Sequence, residues 1–226
     1  MDRIVEVYTG AYASGKSEIS INRAIMLSKI HNPVTLVDLD TVEPAYTLRP
    51  IKSELEKTGI TVVTQESYFG LGEAGNVITA EQMNCLYREG TIVIDVGYGV
   101  GGLDILEVIN SIDKEMQLNI YIVINTSKVE TSTPENIVEY IKWTQGSGEQ
   151  AWKKFAGIIS NTHFAEQTTK EDIIKGFRIT EKASKELNIP IFALCVSENI
   201  YPEFEGESFE GVQLWSLKRY MPKALW

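Results

Sequence analysis

The chain has little of what usually builds metal centres and covalent frameworks: two cysteines and two histidines in 226 residues. Cys85 and Cys195 stand far apart with no C-x-x-C spacing, which excludes a zinc ribbon and a disulfide scaffold and leaves reduced core thiols as the reading. His31 and His163 are too few for a histidine-rich metal site. Positive charge is also scarce. Lys+Arg number 21 against 31 Asp+Glu, a net charge of −10. Sequence-independent nucleic-acid binding needs a cationic surface that displaces counterions, so nucleic acid is not an expected partner. No hydrophobic run approaches the roughly 20 residues of a membrane-spanning helix. The apolar run after Arg3 is short and interrupted by Glu6, unlike a secretory h-region. The expectation is a cytoplasmic protein, with one α/β domain over 1–226.

Short β-branched runs alternate with longer helical patterns. The spacing predicts strands at 3–8, 34–38, 60–65, 91–96, 119–125, 157–160 and 190–196. It predicts helices at 16–30, 50–58, 79–89, 102–116, 134–145 and 169–188. Such alternation makes parallel β-α-β units, and the expected fold is a doubly wound, mainly parallel sheet flanked by helices. Ligands of open α/β sheets bind beyond the carboxyl ends of the strands, so the residues after each strand are read for chemistry.

After the first strand comes Gly10-Ala11-Tyr12-Ala13-Ser14-Gly15-Lys16-Ser17, a full match to G-x-x-x-x-G-K-[ST] between a strand and a helix. In that motif backbone N–H groups wrap phosphate oxygens, the lysine reaches the outer phosphates, and the Ser hydroxyl can ligate Mg²⁺. The helix adds the positive end of its dipole. Gly10 through Ser17, with Glu18 behind them, are the candidate nucleotide-binding segment.

Two further strands end in acids. Val37-Asp38-Leu39-Asp40 puts both carboxylates on one side of an extended strand, which suits Mg²⁺ or a positioned water; solvated acids at a strand end are the alternative. Thr91-Ile92-Val93-Ile94-Asp95 is the Walker B pattern, whose acid typically holds Mg²⁺, often through water. Gly97, Gly99, Gly101 and Gly102 follow it, offering bare backbone to a γ-phosphate or a turn into the next helix. Lys16 and Asp40 are the candidate catalytic residues; Ser17, Asp38 and Asp95 are the candidate metal site.

The base is harder to read. Ile158-Ile159-Ser160-Asn161 ends in a side chain with both a donor and an acceptor, which suits a purine edge or plain turn chemistry. Thr169-Lys170-Glu171-Asp172 has the letters of a guanine-specific motif, but its place suits a helix cap with acids in the first turn. ATP is therefore expected over GTP.

Taken together, the phosphate loop, Leu36–Asp40 with Pro44, Ile92–Gly97 and Ser160-Asn161-Thr162 resemble the MinD/ParA and CobQ/CobB-type branch of P-loop NTPases, of the SIMIBI class. The resemblance covers most of the chain in order. It implies that the first strand lies beside the Walker B strand, and that Asp40 is a switch residue that orients water. It also implies that Asn161 sits against the base, with backbone near Ser197 and Glu198 closing over it. One departure matters. Members that form an ATP-sandwich dimer carry an extra lysine after the loop's first glycine; here that residue is Ala11, followed by Tyr12 and Ala13. A lysine-dependent sandwich dimer is not expected.

The remaining features are weaker. Residues 66–79 form a Gly-rich connection that reads equally as a lid, a partner site or a surface loop. Residues 198–210 carry five glutamates and three aromatic residues and read as a solvated loop or a docking edge for a basic partner. From 212 onward, alternation suits a last strand packed on the core better than a membrane-binding helix, which Pro222 interrupts. The expected function is a Mg²⁺-ATP-dependent switch with slow hydrolysis, acting on a protein partner. The alternative is a small-molecule kinase or an ATP-dependent ligase of the dethiobiotin-synthetase type.

Overall fold

A computed structural model describes residues 3–40, 48–65, 78–97, 103–146 and 152–221. Their strands are β1 (Val5–Gly10), β2 (Val34–Leu39), β3 (Thr61–Val63), β4 (Thr91–Val96), β5 (Leu118–Ile124), β6 (Phe155–Ser160), β7 (Ile191–Ser197), β8 (Ser208–Phe209) and β9 (Val212–Leu217). They form one sheet in the order β3-β2-β4-β1-β5-β6-β7-β9-β8. Neighbouring strands pair in parallel throughout, except β8 with β9. The predicted parallel fold is present, and the first strand does lie beside the Walker B strand.

The central strands are buried on both faces, as parallel strands covered by helices must be. Their side chains alternate between two cores. Val5, Val7, Ile92, Ile94, Ile120 and Ile122 face one core, which α4 (Pro134–Gln145) covers with Ile137 and Ile141. Tyr8, Val93, Tyr121 and Val123 face the other, covered by Ile19, Ala24 and Leu27 of α1 (Lys16–Ser28). Glu6 is the exception to an apolar β1. It takes two 2.8 Å hydrogen bonds from the Arg23 guanidinium and one of 2.8 Å from the Tyr8 hydroxyl, so its buried charge is paired. Arg23 also lies 4.8 Å from the Trp215 ring centroid, tying α1 to β9 as well as β1. Trp215 is fully buried, so the last described strand packs on the core as its alternation predicts.

Helix lengths differ from expectation. The predicted helix at 102–116 is not formed: Asp104–Val108 and Ile112–Lys114 are separate 3₁₀ turns. Its buried residues Leu103, Leu106, Ile109 and Ile112 recur every third position, the 3₁₀ period, and Ser111 with φ 68° breaks the run. The predicted helix at 79–89 is α3 (Ala80–Met83) plus a 3₁₀ turn at Cys85–Tyr87, and that at 50–58 is a 3₁₀ turn at Arg49–Ile51 plus α2 (Lys52–Glu56). The predicted helix at 169–188 is α5 (Lys170–Leu187). Residues 198–210 are more ordered than a solvated loop. Phe204 is buried with Phe177 and Leu194, and β8 pairs with β9 at the sheet edge.

Candidate functional site

β1 ends at Gly10 and α1 begins at Lys16, so the phosphate loop bridges the sheet's carboxyl edge and the start of a helix. Ser14 N–H donates to Ala11 O at 3.1 Å, closing the loop on itself. Ala13 and Gly15 both have left-handed backbones, with φ of 54° and 87°. Gly15 is needed twice over: its φ disfavours a side chain, and a Cβ there would strike the Asn161 amide nitrogen. At Gly10 a Cβ would lie 2.6 Å from Val123 O of the neighbouring strand. The Ser14 hydroxyl is buried without a hydrogen-bond partner, an orphan polar atom inside the loop.

One flank of the loop is acidic. β2 and β4 pair with Asp38 directly opposite Asp95. Asp38 accepts from the Asp40 and Leu48 amides, both at 3.0 Å, and from the Thr64 hydroxyl at 3.2 Å. Burial still pushes its carboxyl up to about 6, against those hydrogen bonds. Asp95 is pushed up to about 8, by burial first and by Asp38 and Asp40 after it; Lys16 and the Ser17 hydroxyl pull the other way. The Ser20 hydroxyl lies 3.3 Å from Asp95 Oδ1. Lys16 Nζ sits 3.2 Å from Asp40 Oδ2, with both side chains under 10% exposed. Lys16, Ser17, Asp38, Asp40 and Asp95 are thus brought together. Gly97 follows β4, its carbonyl 3.5 Å from the Thr9 hydroxyl. The expectations for Pro44, for 66–77 and for Gly99, Gly101 and Gly102 fall outside the described residues. Among the described residues no three His, Cys, Asp or Glu side chains form a metal site by themselves.

The other flank is amide-lined. Asn161 Nδ2 donates to Ser14 O at 2.8 Å, so the residue expected at the base has its donor turned to the loop. Fully buried Asn125, at the end of β5, accepts through Oδ1 from the Ser127 and His163 amides at 3.1 and 3.2 Å. Its Nδ2 reaches Ala13 O at 3.4 Å. Beyond lies a pocket of about 250 Å³ lined by Glu18, Asn161, His163, Ser197 and Glu198 among others. Ser197 is exposed there, at the end of β7. The Glu18 carboxylate instead accepts the amides of Tyr220 at 2.9 Å and Met221 at 2.6 Å, anchoring the chain beyond β9. Thr169 caps α5 in a reciprocal box with Asp172, as the cap reading of that motif expects. The sequence reading missed Asn125, His163 and Ser20. Asn125 directly follows β5 and His163 stands three residues after β6, both in strand-end segments read for chemistry without a role for these side chains; Ser20 is marked only by its place one turn after Lys16.

No protein-family model matches the chain, and no curated protein matches it. Solved structures do. FtsY from Mycoplasma mycoides superposes with a TM-score of 0.56 at 16% identity, over 85% of this chain and 60% of that one. The cell division protein FtsY from Thermotoga maritima gives 0.51 at 20%, over 84% and 60%. The signal recognition particle receptor FtsY from Elizabethkingia anophelis, solved in complex with GDP, gives 0.54 at 16%, over 86% and 58%. The shared fold is the expected doubly wound P-loop NTPase fold. The chain spans about 60% of the length of these P-loop proteins, and what it shares with them is the fold.

Proposed function

We propose that the chain binds Mg²⁺-ATP and works as a slow ATPase, a nucleotide-dependent switch for a protein partner. The observation that carries this reading is the loop with its partnerless Ser14 hydroxyl, set against Lys16, Asp40 and Asp95. The loop backbone from Gly10 to Ser17 would take phosphate oxygens, and Ser17 with Asp95 would hold Mg²⁺. The bound ion supplies neutralisation of the charge on phosphate oxygens. Asp38 is held by three donors, so we assign it to the outer support of the metal site.

Lys16 is a point charge that exchanges partners. Phosphate entering the loop competes with Asp40 for it, and Asp40, released, orients the attacking water. That exchange is the switch: it links phosphate at the loop to the chain that leaves β2. Ala11 supplies no loop lysine, so hydrolysis stays slow until a partner contributes a cation, and a net charge of −10 favours a basic partner. The cap at Thr169–Asp172 supports ATP over GTP, while the E. anophelis FtsY was solved with GDP; competition between ATP and GTP at fixed Mg²⁺ decides. Among the described residues no helix is long and apolar enough to cross a membrane. We place the chain in the cytoplasm, where triphosphate is abundant and the buried thiols Cys85 and Cys195 stay reduced.

One observation favours the second reading, a small-molecule kinase or dethiobiotin-synthetase-type ligase. A groove of about 550 Å³ opens beside Ala11 and Tyr12, walled by Tyr140, Trp143 and Glu130, with room for a second substrate. Pull-down from the native cell with ATP against ADP separates the two. A protein retained only with ATP supports the switch, and a metabolite consumed with ATP supports the enzyme.

A further inference from the structure

His163 stands where the amide flank meets the phosphate loop. Its backbone is held firmly. The His163 amide donates to Asn125 Oδ1 at 3.2 Å, and the preceding Thr162 hydroxyl lies 2.9 Å from that of Thr126. Thr162 also packs against Gly176 of α5 so closely that a Cβ on Gly176 would strike it. The imidazole is therefore placed by rigid neighbours.

Its two nitrogens have different surroundings. Nδ1 accepts from the Ala165 amide at 3.4 Å, so it carries no hydrogen. In the neutral ring the hydrogen then belongs to Nε2. Nε2 is buried with no hydrogen-bond partner and lies 3.4 Å from where a Cβ on Gly15 would sit; His163 is one of the residues lining the 250 Å³ pocket. A buried N–H without an acceptor forfeits its hydration for nothing in return. Burial first, then Lys128 and Arg219, lowers the ring to about 4, so it is neutral at physiological pH. Lys128 and Arg219 act on the ring as cations, Arg219 with the Glu166 carboxylate 3.6 Å away, and the pocket wall also carries Glu18 and Glu198. The missing partner is thus an acceptor, and its place is beside Gly15 of the loop.

We propose that His163, as its Nε2–H tautomer, donates a hydrogen bond to a phosphate oxygen of the bound nucleotide beside Gly15. This rests on the nucleotide-binding reading and adds a side-chain phosphate contact from outside the loop motif. The Ala165 amide–Nδ1 contact selects the donor tautomer of the neutral ring.

Calorimetric titration of wild type and His163→Phe with a non-hydrolysable ATP analogue and with inorganic tripolyphosphate tests it. The expected result is an affinity loss of about tenfold or more for both ligands, the size of one hydrogen bond to a charged acceptor. Unchanged affinity for the analogue overturns the inference alone. A loss confined to the analogue overturns the phosphate assignment. Absence of any binding to wild type overturns the nucleotide reading and this inference with it. ¹⁵N NMR of the wild-type imidazole is independent of how the variant folds. A protonated Nε2 whose resonance moves on adding tripolyphosphate is expected, and a protonated Nδ1 overturns the proposal.

Discussion

The two flanks of the phosphate loop are built from opposite chemistry. Toward β2 and β4 stand three buried carboxylates, Asp38, Asp40 and Asp95, with Lys16 as the cation among them. Toward β5 and β6 stand Asn125 and Asn161, which hold the loop through its carbonyls at Ala13 and Ser14, and beside them a neutral His163. The acidic flank stores unfavourable charge that a metal ion and a lysine can relieve. The amide flank stores none and sets shape. Chemistry and positioning are thereby separated by the width of one loop, and each flank should fail in its own way when altered.

The largest effect is expected on the acidic flank. Lys16→Ala should weaken triphosphate binding by about a hundredfold or more, since it removes the buried charge that, on the proposed reading, phosphate takes over from Asp40. Titration of labelled ATP against both proteins, with circular dichroism to check the fold, measures it. Equal affinity would mean that this flank does not face the phosphates.

Asp40→Asn should sharpen the contrast by splitting binding from turnover. With the 3.2 Å contact to Lys16 weakened, ATP should bind as tightly or more tightly, while single-turnover hydrolysis falls about tenfold to a hundredfold. Weaker binding with unchanged turnover would move Asp40 to a structural role.

Stability against pH should lean in opposite directions on the two flanks when no nucleotide or Mg²⁺ is present. Asp95, raised to about 8, favours the protonated folded state. Its contribution is complete below about pH 4 and is lost as pH rises through 8, so Asp95→Asn should flatten that loss. His163, lowered to about 4, favours the neutral folded state. Its contribution is present above about pH 6.5 and lost as pH falls through 4, roughly 3 kcal/mol at most, and His163→Phe should remove that acid sensitivity. Urea unfolding across the pH range reads both slopes. Parallel slopes in the two variants would erase the distinction.

The smallest effect belongs to Glu18, which sits beside the loop yet serves neither flank with its carboxylate. Glu18→Gln should cost about 1 kcal/mol through weaker acceptance of the Tyr220 and Met221 amides, with nucleotide affinity nearly unchanged. A large loss of affinity would show that the anchored chain beyond β9 supports the nucleotide directly.

Much of this was readable from residue order. β1, β2, β4 and β5 announce themselves as apolar runs, and the loop motif between β1 and α1 announces its chemistry by type and spacing. Asp38 and Asp95 were legible as strand-end acids, because period-two alternation is local. The segment at 102–116 differs from the helix expected because apolar residues three apart satisfy a helix template loosely, while the backbone closes i→i+3 bonds and the left-handed Ser111 parts the two 3₁₀ turns. The edge hairpin of β8 with β9 was hidden for another reason: Phe204 and Phe209 look like loop residues until Phe177 of α5 is brought against them.

The sequence by itself determined the alternating parallel fold and the Gly10–Ser17 loop between its first strand and helix, since both follow from periodicity and from groups fixed within a few residues of one another. Only the tertiary structure decided which atoms each group is turned toward. It set Asp38 opposite Asp95, gave Lys16 to Asp40, spent the Asn161 amide on Ser14 O, and left the His163 Nε2 without a partner beside Gly15. These pairings join residues far apart in the chain. They depend on strand order and burial, and no local pattern records either.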